Sequence, residues 1–303
     1  MASSGATAPT ELLRALAVLA EPPDASHAAV ADALGLGVAP DGAAYADVFL
    51  FQFHPYASVY LGAEGMLGGD VRERVAGFWR AVGRTPPAEP DHLSALLALY
   101  AALLDEAADA VATPEGALAR QSATALVQEH LAPWVLTYLD RMAEVTPGCY
   151  GVWATLTATV LTQTWGASPL EGLPVHLLVA PPLPDPRVDG GAGFAALLLA
   201  PVRSGMIVTR TDLGELGRSL GLGLRVGERR FILEHLLAQD APGVLGGLSG
   251  LAAIAEARHA DRRAALGPVA DFWAARARTT AVLLDALARE GAAALEVVQA
   301  GAS

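Results

Sequence analysis

Asp91-His-Leu-Ser-Ala-Leu-Leu-Ala-Leu-Tyr-Ala-Ala-Leu-Leu-Asp-Glu-Ala-Ala-Asp-Ala-Val-Ala112 reads as one long helix. Leu93, Leu96, Leu97, Tyr100, Leu103 and Leu104 recur at the three- and four-residue spacing that places side chains on one helical face. Asp91 is a candidate N-cap, because its short carboxylate can accept an unpaired amide of the first turn. Thr113-Pro114-Glu115 follows, an N-cap and N1 pair that restarts the chain as a second helix.

Helical spacing extends in both directions from this stretch. Upstream, Leu12, Leu13, Leu16 and Leu19 mark a helix after Thr10, and Asp24 or Ser26 opens a short one through Leu34. A third runs from about Gly42 to Phe53 and is broken at His54-Pro55, because proline disfavours helical geometry in the residue before it. Residues 55–69 read as a loop, Asp70 as the cap of a helix reaching Val82, and Pro86 to Pro90 as a linker. Downstream, helices are expected at about 115–131, 133–145 and 148–165. Residues 166–192 then hold Pro169, Pro174, Pro181, Pro182, Pro184 and Pro186, and close near Gly190-Gly191. Within them Val175 to Val179 reads as a short extended piece. Helical pattern resumes at about 193–201, 211–220, 227–239, 242–257 and 264–298. The fold class is all-α, a bundle of about ten or more helices with an additional C-terminal helical part. The expected division is a disordered 1–10, a helical core 11–165, a connection 166–192 and a C-terminal part 193–303.

Composition supports this reading and narrows the chemistry. The 303 residues are 53% hydrophobic, enough for a sizeable core without cross-links. Cys149 is the single cysteine, so no internal disulfide forms, and its apolar surroundings suggest an inert core thiol. All 20 basic residues are arginines, which excludes a Schiff-base lysine. No metal-pairing histidine motif, nucleophile elbow or phosphate loop is present; Gly221-Leu-Gly-Leu-Arg-Val-Gly227 lacks the spacing and the preceding strand. No catalytic residue, cofactor or metal is therefore expected, and the protein is read as a non-enzyme.

The start of the chain, Met1 to Thr10, has no basic and apolar secretion signal, and the uncharged stretch Val145 to Leu170 is broken by Pro147, Gly148, Gln163 and the five threonines from Thr155 to Thr164. Together these place the protein in the cytoplasm. Residues 1–200 carry 8 arginines against 21 acids, whereas 201–303 carry 12 against 11. The acidic part repels phosphate backbones and suits a basic peptide.

Three segments carry a family resemblance. They are Phe49-Leu-Phe-Gln-Phe-His-Pro55-Tyr-Ala-Ser58-Val-Tyr60-Leu, then Glu89-Pro90-Asp91-His92-Leu93, then Glu129-His130-Leu131-Ala-Pro-Trp134. In this order the chain resembles the TorD/DmsD/NarJ-type chaperones, over roughly residues 10–165. It departs from them at Gly62, where the family often has an acid, and in its length. Pro201-Val-Arg203-Ser-Gly205 and Arg225 to Phe231 resemble the tail of longer relatives.

The resemblance implies a chaperone that binds a molybdopterin oxidoreductase precursor, through its twin-arginine signal peptide, before export or assembly. No nucleic acid is expected from the acidic charge and no stable membrane insertion from the interrupted apolar stretch; a homodimer is left open. Ser58, Tyr60, Trp79, Pro90, Asp91 and His92 are the client-binding candidates. Ser58 and Tyr60 are expected in an exposed loop. Trp79 also reads as core and Asp91 as a helix cap, while Trp134 and His130 read as packing residues, His130 satisfied by nearby backbone. The alternative is a DNA-binding regulator using residues 211–237, which would need Arg225, Arg229 and Arg230 on one open basic face.

Overall fold

The computed structural model describes residues 7–165 and 172–301, and their regular structure is helical. The chain divides into two units, Met1–Gly62 with Met66–Leu178, and Ala63–Gly65 with Val179–Ser303.

The first unit contains α1 (Thr7–Val18), α2 (Ala25–Ala33), α3 (Gly42–Tyr45), α4 (Ala57–Leu61), α5 (Gly69–Ala81), α6 (Leu93–Asp109), α7 (Pro114–Leu126), α8 (Val135–Val145), α9 (Cys149–Trp165) and α10 (Val175–Leu178). α6 packs on α1 and α7, while α9 packs on α8 and α1. The leucine face read from the sequence supplies this core: Leu93, Leu96, Leu97 and Leu103 are buried, as are Leu13 and Leu16 of the neighbouring α1. Each such leucine contributes about 1.5–3 kcal/mol relative to an exposed one. Trp153 of α9 donates Nε1–H to the Leu16 carbonyl at 3.0 Å, tying α9 to α1. The threonines of α9 return their hydroxyls to a carbonyl three or four residues back, as from Thr157 to Trp153 at 2.7 Å and Thr164 to Leu161 at 3.0 Å. A threonine-rich helix can thus pack in a core without stranding its threonine hydroxyls.

Two segments wind as π-helix, Ala46–Gln52 and Val127–Leu131. They contain Phe49 and His130, from the first and third motif segments. Phe49 stands edge-on to Tyr150 and Trp153 with centroids 4.8 and 5.8 Å away. Gly116 explains how tightly α7 turns back: a Cβ there would lie 1.8 Å from the Ala110 carbonyl oxygen.

The second unit contains α11 (Pro186–Asp189), α12 (Phe194–Leu198), α13 (Pro201–Ser204), α14 (Arg210–Ser219), α15 (Arg229–Gln239), α16 (Ala241–Asp261), α17 (Arg263–Leu266) and α18 (Pro268–Gly301). α16 and α18 run antiparallel, since Pro242 meets Gly291, Ser249 donates to the Ala281 carbonyl at 2.9 Å and Glu256 pairs with Arg278 at 2.7 Å. Their shared core is Val244, Leu248, Ala252, Ala277 and Leu284, with Leu213, Leu233 and Leu236 from α14 and α15. Among the described residues no helix is long and apolar enough to cross a membrane.

Several local expectations are corrected. The disordered start 1–10 gives way to α1 from Thr7, while residues 1–6, 166–171 and 302–303 lie outside the described residues. The loop 55–69 contains α4, because Pro55 only delays the helix by two residues. α5 is capped by Gly68, and Asp70 falls in its first turn, where a negative charge meets the helix N-terminus. Val175–Leu178 is a helical turn and not an extended piece, since no strand offers it a ladder among the described residues. The single long helix expected at 264–298 is split at Gly267, with φ 49°, between α17 and α18.

Candidate functional site

The second motif segment folds back on the first. The Ala57 N–H donates to the Asp91 carbonyl at 3.0 Å and the Leu93 N–H to the Pro55 carbonyl at 2.8 Å, with Tyr56 and His92 paired between them as an isolated antiparallel bridge. At the centre lies Asp91, buried, whose carboxylate accepts the Ser58 N–H at 3.0 Å. Asp91 therefore caps α4, which has no side-chain cap from its own Tyr56. The cap of α6 is instead His92, whose Nδ1 accepts the Ser94 N–H at 3.2 Å. Asp91 thus has the capping chemistry expected of it but serves a different helix, because its carboxylate is aimed across the chain and not along it.

Ser58 and Tyr60 are not exposed. Ser58 is wholly buried, its Oγ accepting the Gly68 N–H at 3.2 Å. Tyr60 is buried with its ring stacked on Trp134 at 5.2 Å and 9°, and edge-on to Tyr138 at 5.1 Å. Helix formation at 57–61 turns these side chains into the core, so neither presents a surface to a client. Trp79 is half-buried and donates Nε1–H to the Pro90 carbonyl at 3.3 Å, while Arg72 holds the Ala88 carbonyl at 3.0 Å. These two residues of α5 strap the linker down, and Pro90 itself is buried. Trp134 is fully buried, as expected, and its Nε1 donates to the His130 carbonyl at 2.9 Å. His130 is not satisfied by backbone through Nδ1, which has no partner among the described residues; its ring lies against Phe78 at 5.0 Å and His176 at 5.9 Å.

Of the six candidates, His92 is buried but borders an exposed carboxylate. Its ring packs edge-on against Tyr56 at 4.8 Å and its Nδ1 lies 3.5 Å from the Glu21 carboxylate. Burial lowers its pKa, while Glu21, Glu89 and Asp91 pull the other way. Tyr56 donates its hydroxyl to Glu89 Oε2 at 2.7 Å, and Glu21 accepts from the Ser94 hydroxyl. Burial, followed by the Glu89 hydrogen bond, raises the Tyr56 pKa. Glu21 and Glu89 are both exposed, so two carboxylates flank an aromatic and imidazole pair at the hinge into α6. Glu21, Tyr56 and Glu89 are absent from the sequence-derived candidates. In the sequence Glu21 marks only the end of the first helix, and no local pattern reveals that it meets Ser94, 73 residues away.

In the basic segment 211–237 Arg225 and Arg230 are exposed and Arg229 is half-buried, and all three are engaged. Arg229 donates to the Val208 carbonyl at 2.9 Å, Arg230 pairs with Glu234 at 2.8 Å and Arg225 lies over the Phe231 ring at 5.6 Å. Each arginine is engaged within its own unit. Cys149 is buried, which pushes its thiol pKa up and keeps it protonated. No group of three or more metal-ligating side chains occurs among the described residues.

Residues 17–138 match the family model described as nitrate reductase delta subunit. The match contains all three motif segments, the buried Asp91–Ser58 contact and the exposed Glu21 and Glu89. No curated protein matches the chain.

Proposed function

We propose that this protein is a maturation chaperone of the NarJ/TorD type that binds the basic signal segment of a molybdoenzyme precursor in the cytoplasm before export or assembly, a reading supported by the match of residues 17–138 to the nitrate reductase delta subunit family model. The observation that carries the reading is the hinge group: exposed carboxylates of Glu21 and Glu89 beside Tyr56 and His92, inside the matched segment. A guanidinium can take a carboxylate with two parallel hydrogen bonds and lie against an aromatic ring, so this group suits an arginine pair. The acidic balance of residues 1–200 favours approach of a basic segment over long range. Ser58, Asp91 and Pro90 act in this reading as the support that holds the hinge, Trp79 as its strap, and Tyr60 as core. The two glutamates face the client, with buried His92 set against Glu21.

The test is calorimetric titration of the full chain with twin-arginine signal peptides from molybdoenzymes of the same genome, with the double Arg→Gln peptide as control. Saturable binding that weakens with the control peptide, with added salt and with Glu21→Gln plus Glu89→Gln supports the reading. Binding indifferent to the arginines, or to both glutamates, overturns it.

A further inference from the structure

The second unit contains a cavity of about 300 Å³ formed by α18, α13 and the Pro182-Leu183 segment. Its lining joins two cations, Arg203 and Arg276, to an apolar side made by Leu183, Phe272 and Leu283, and includes Thr280. No acid lines it. We propose that this cavity binds a small organic oxyanion, a phosphate or carboxylate carried on an apolar body.

The arginines are fixed in place by groups that leave most of their charge uncancelled. Arg203 donates Nε–H to the Ala63 carbonyl at 2.6 Å and a terminal N–H to the Pro182 carbonyl at 3.0 Å. Its other terminal N–H makes a long pair with Glu64 at 3.5 Å, a carboxylate 67% exposed and therefore largely screened by solvent. Arg276 donates to the Ala180 carbonyl at 2.7 Å and lies over the Phe272 ring at 5.0 Å, and among the described residues it pairs with no carboxylate. Burial, and then the proximity of Arg203, lowers the Arg276 pKa, as expected where cations are gathered without a counter-ion. A guanidinium has five N–H donors, so backbone carbonyls hold each side chain while leaving donors for a ligand.

Thr280 is an independent observation. Threonines on a helix commonly return the hydroxyl to a carbonyl one turn back, as Thr279 does to Ala275 at 2.9 Å. Thr280 is 1% exposed, yet its hydroxyl has no partner among the described residues. A buried hydroxyl left unpaired is unfavourable, and an oxyanion seated between the two arginines would accept a hydrogen bond from it. The cavity lies at the small end of the range for small-molecule sites, and a single phosphorylated or carboxylated ring fits that size.

The site stands apart from the peptide reading, and its test uses different probes. The full chain is titrated with phenyl phosphate, with benzoate and with neutral benzyl alcohol. Saturable binding of either anion and none of the alcohol is expected, and the tighter anion tells phosphate from carboxylate. Arg276→Gln should weaken the preferred anion about tenfold or more, through a lost charge-assisted pair. Thr280→Val keeps the side-chain shape and removes only the unpaired hydroxyl, so it should weaken binding about threefold without lowering the urea midpoint. Absence of saturable binding by both anions overturns the proposal. So does binding that Thr280→Val leaves unchanged, or that benzyl alcohol matches.

Discussion

The Asp91 carboxylate accepts the Ser58 N–H at 3.0 Å across 33 residues of sequence, so a residue ahead of α6 caps α4. Both residues are buried, which makes the contact a structural clamp on the hinge. Asp91→Ala leaves the Ser58 amide unpaired and should cost about 1–3 kcal/mol. Asp91→Asn retains an acceptor oxygen and should cost less. Urea denaturation of both variants checks the order. If Asp91→Ala unfolds with the wild-type midpoint, the clamp contributes nothing.

Peptide affinity separates support from contact. Glu89→Gln removes an exposed charge and should leave stability within about 0.5 kcal/mol, because surface substitutions seldom do more. In the proposed reading it nevertheless weakens a twin-arginine peptide, while Asp91→Ala does so only as far as it unfolds the hinge. Titration beside a urea curve for each variant distinguishes the two.

Stacking of Tyr60 on Trp134 sets a third expectation. Trp134 is fully buried and touches Tyr60 and Tyr138, so Trp134→Ala opens a large void and should cost about 3–5 kcal/mol. Trp134→Phe fills most of the volume and should cost markedly less. Near-ultraviolet circular dichroism and a urea midpoint report both effects. An equal loss for the two variants would sink the packing account.

Acid sensitivity follows from the His130–His176 contact. Burial pushes His130 down to about 4, with His176 and Arg74 adding like-charge pressure, and pushes His176 down to about 4, with Arg74 adding the same. Both imidazoles are therefore neutral in the fold and take up protons more readily once unfolded. The stability they permit is complete above pH of about 6.5, the ordinary histidine value, and is lost progressively as pH falls towards 4. The loss is on the order of 1–3 kcal/mol for each group. His130→Gln with His176→Gln should flatten that part of the stability profile between pH 7 and 4. A profile of unchanged slope would show that other groups control it.

Element type is legible where periodicity and caps agree. α6, with its leucines at helical spacing, and α7, with Thr113-Pro114, need nothing beyond local pattern. The π turns at 46–52 and 127–131 are not legible, since a π segment and an α-helix place apolar residues at nearly the same spacing. The buried states of Ser58 and Tyr60 escape for another reason. Pro55 signals a break, and nothing local says that Asp91 supplies the missing cap that restarts the helix at Ala57. The hinge motif can be recognised, but the carboxylate of Glu21 joins it only through tertiary contact with Ser94 and His92.

Gly205 gives the sharpest steric prediction. It adopts φ 73°, which a side chain rarely tolerates, and a Cβ there would lie 2.2 Å from the Ala277 backbone nitrogen on α18. Its carbonyl also accepts His259 Nε2–H at 2.8 Å, so the backbone cannot turn away without breaking that bond. Gly205→Ala therefore combines left-handed strain with a backbone clash, and should cost about 2–5 kcal/mol. Gly35 is the control: it has φ 63°, but a Cβ added there would meet nothing within 4 Å, so Gly35→Ala should cost only about 1–2 kcal/mol. Urea midpoints of the two variants measure the difference. Equal losses would mean that the conformation of Gly205, and not its contact with α18, decides the effect.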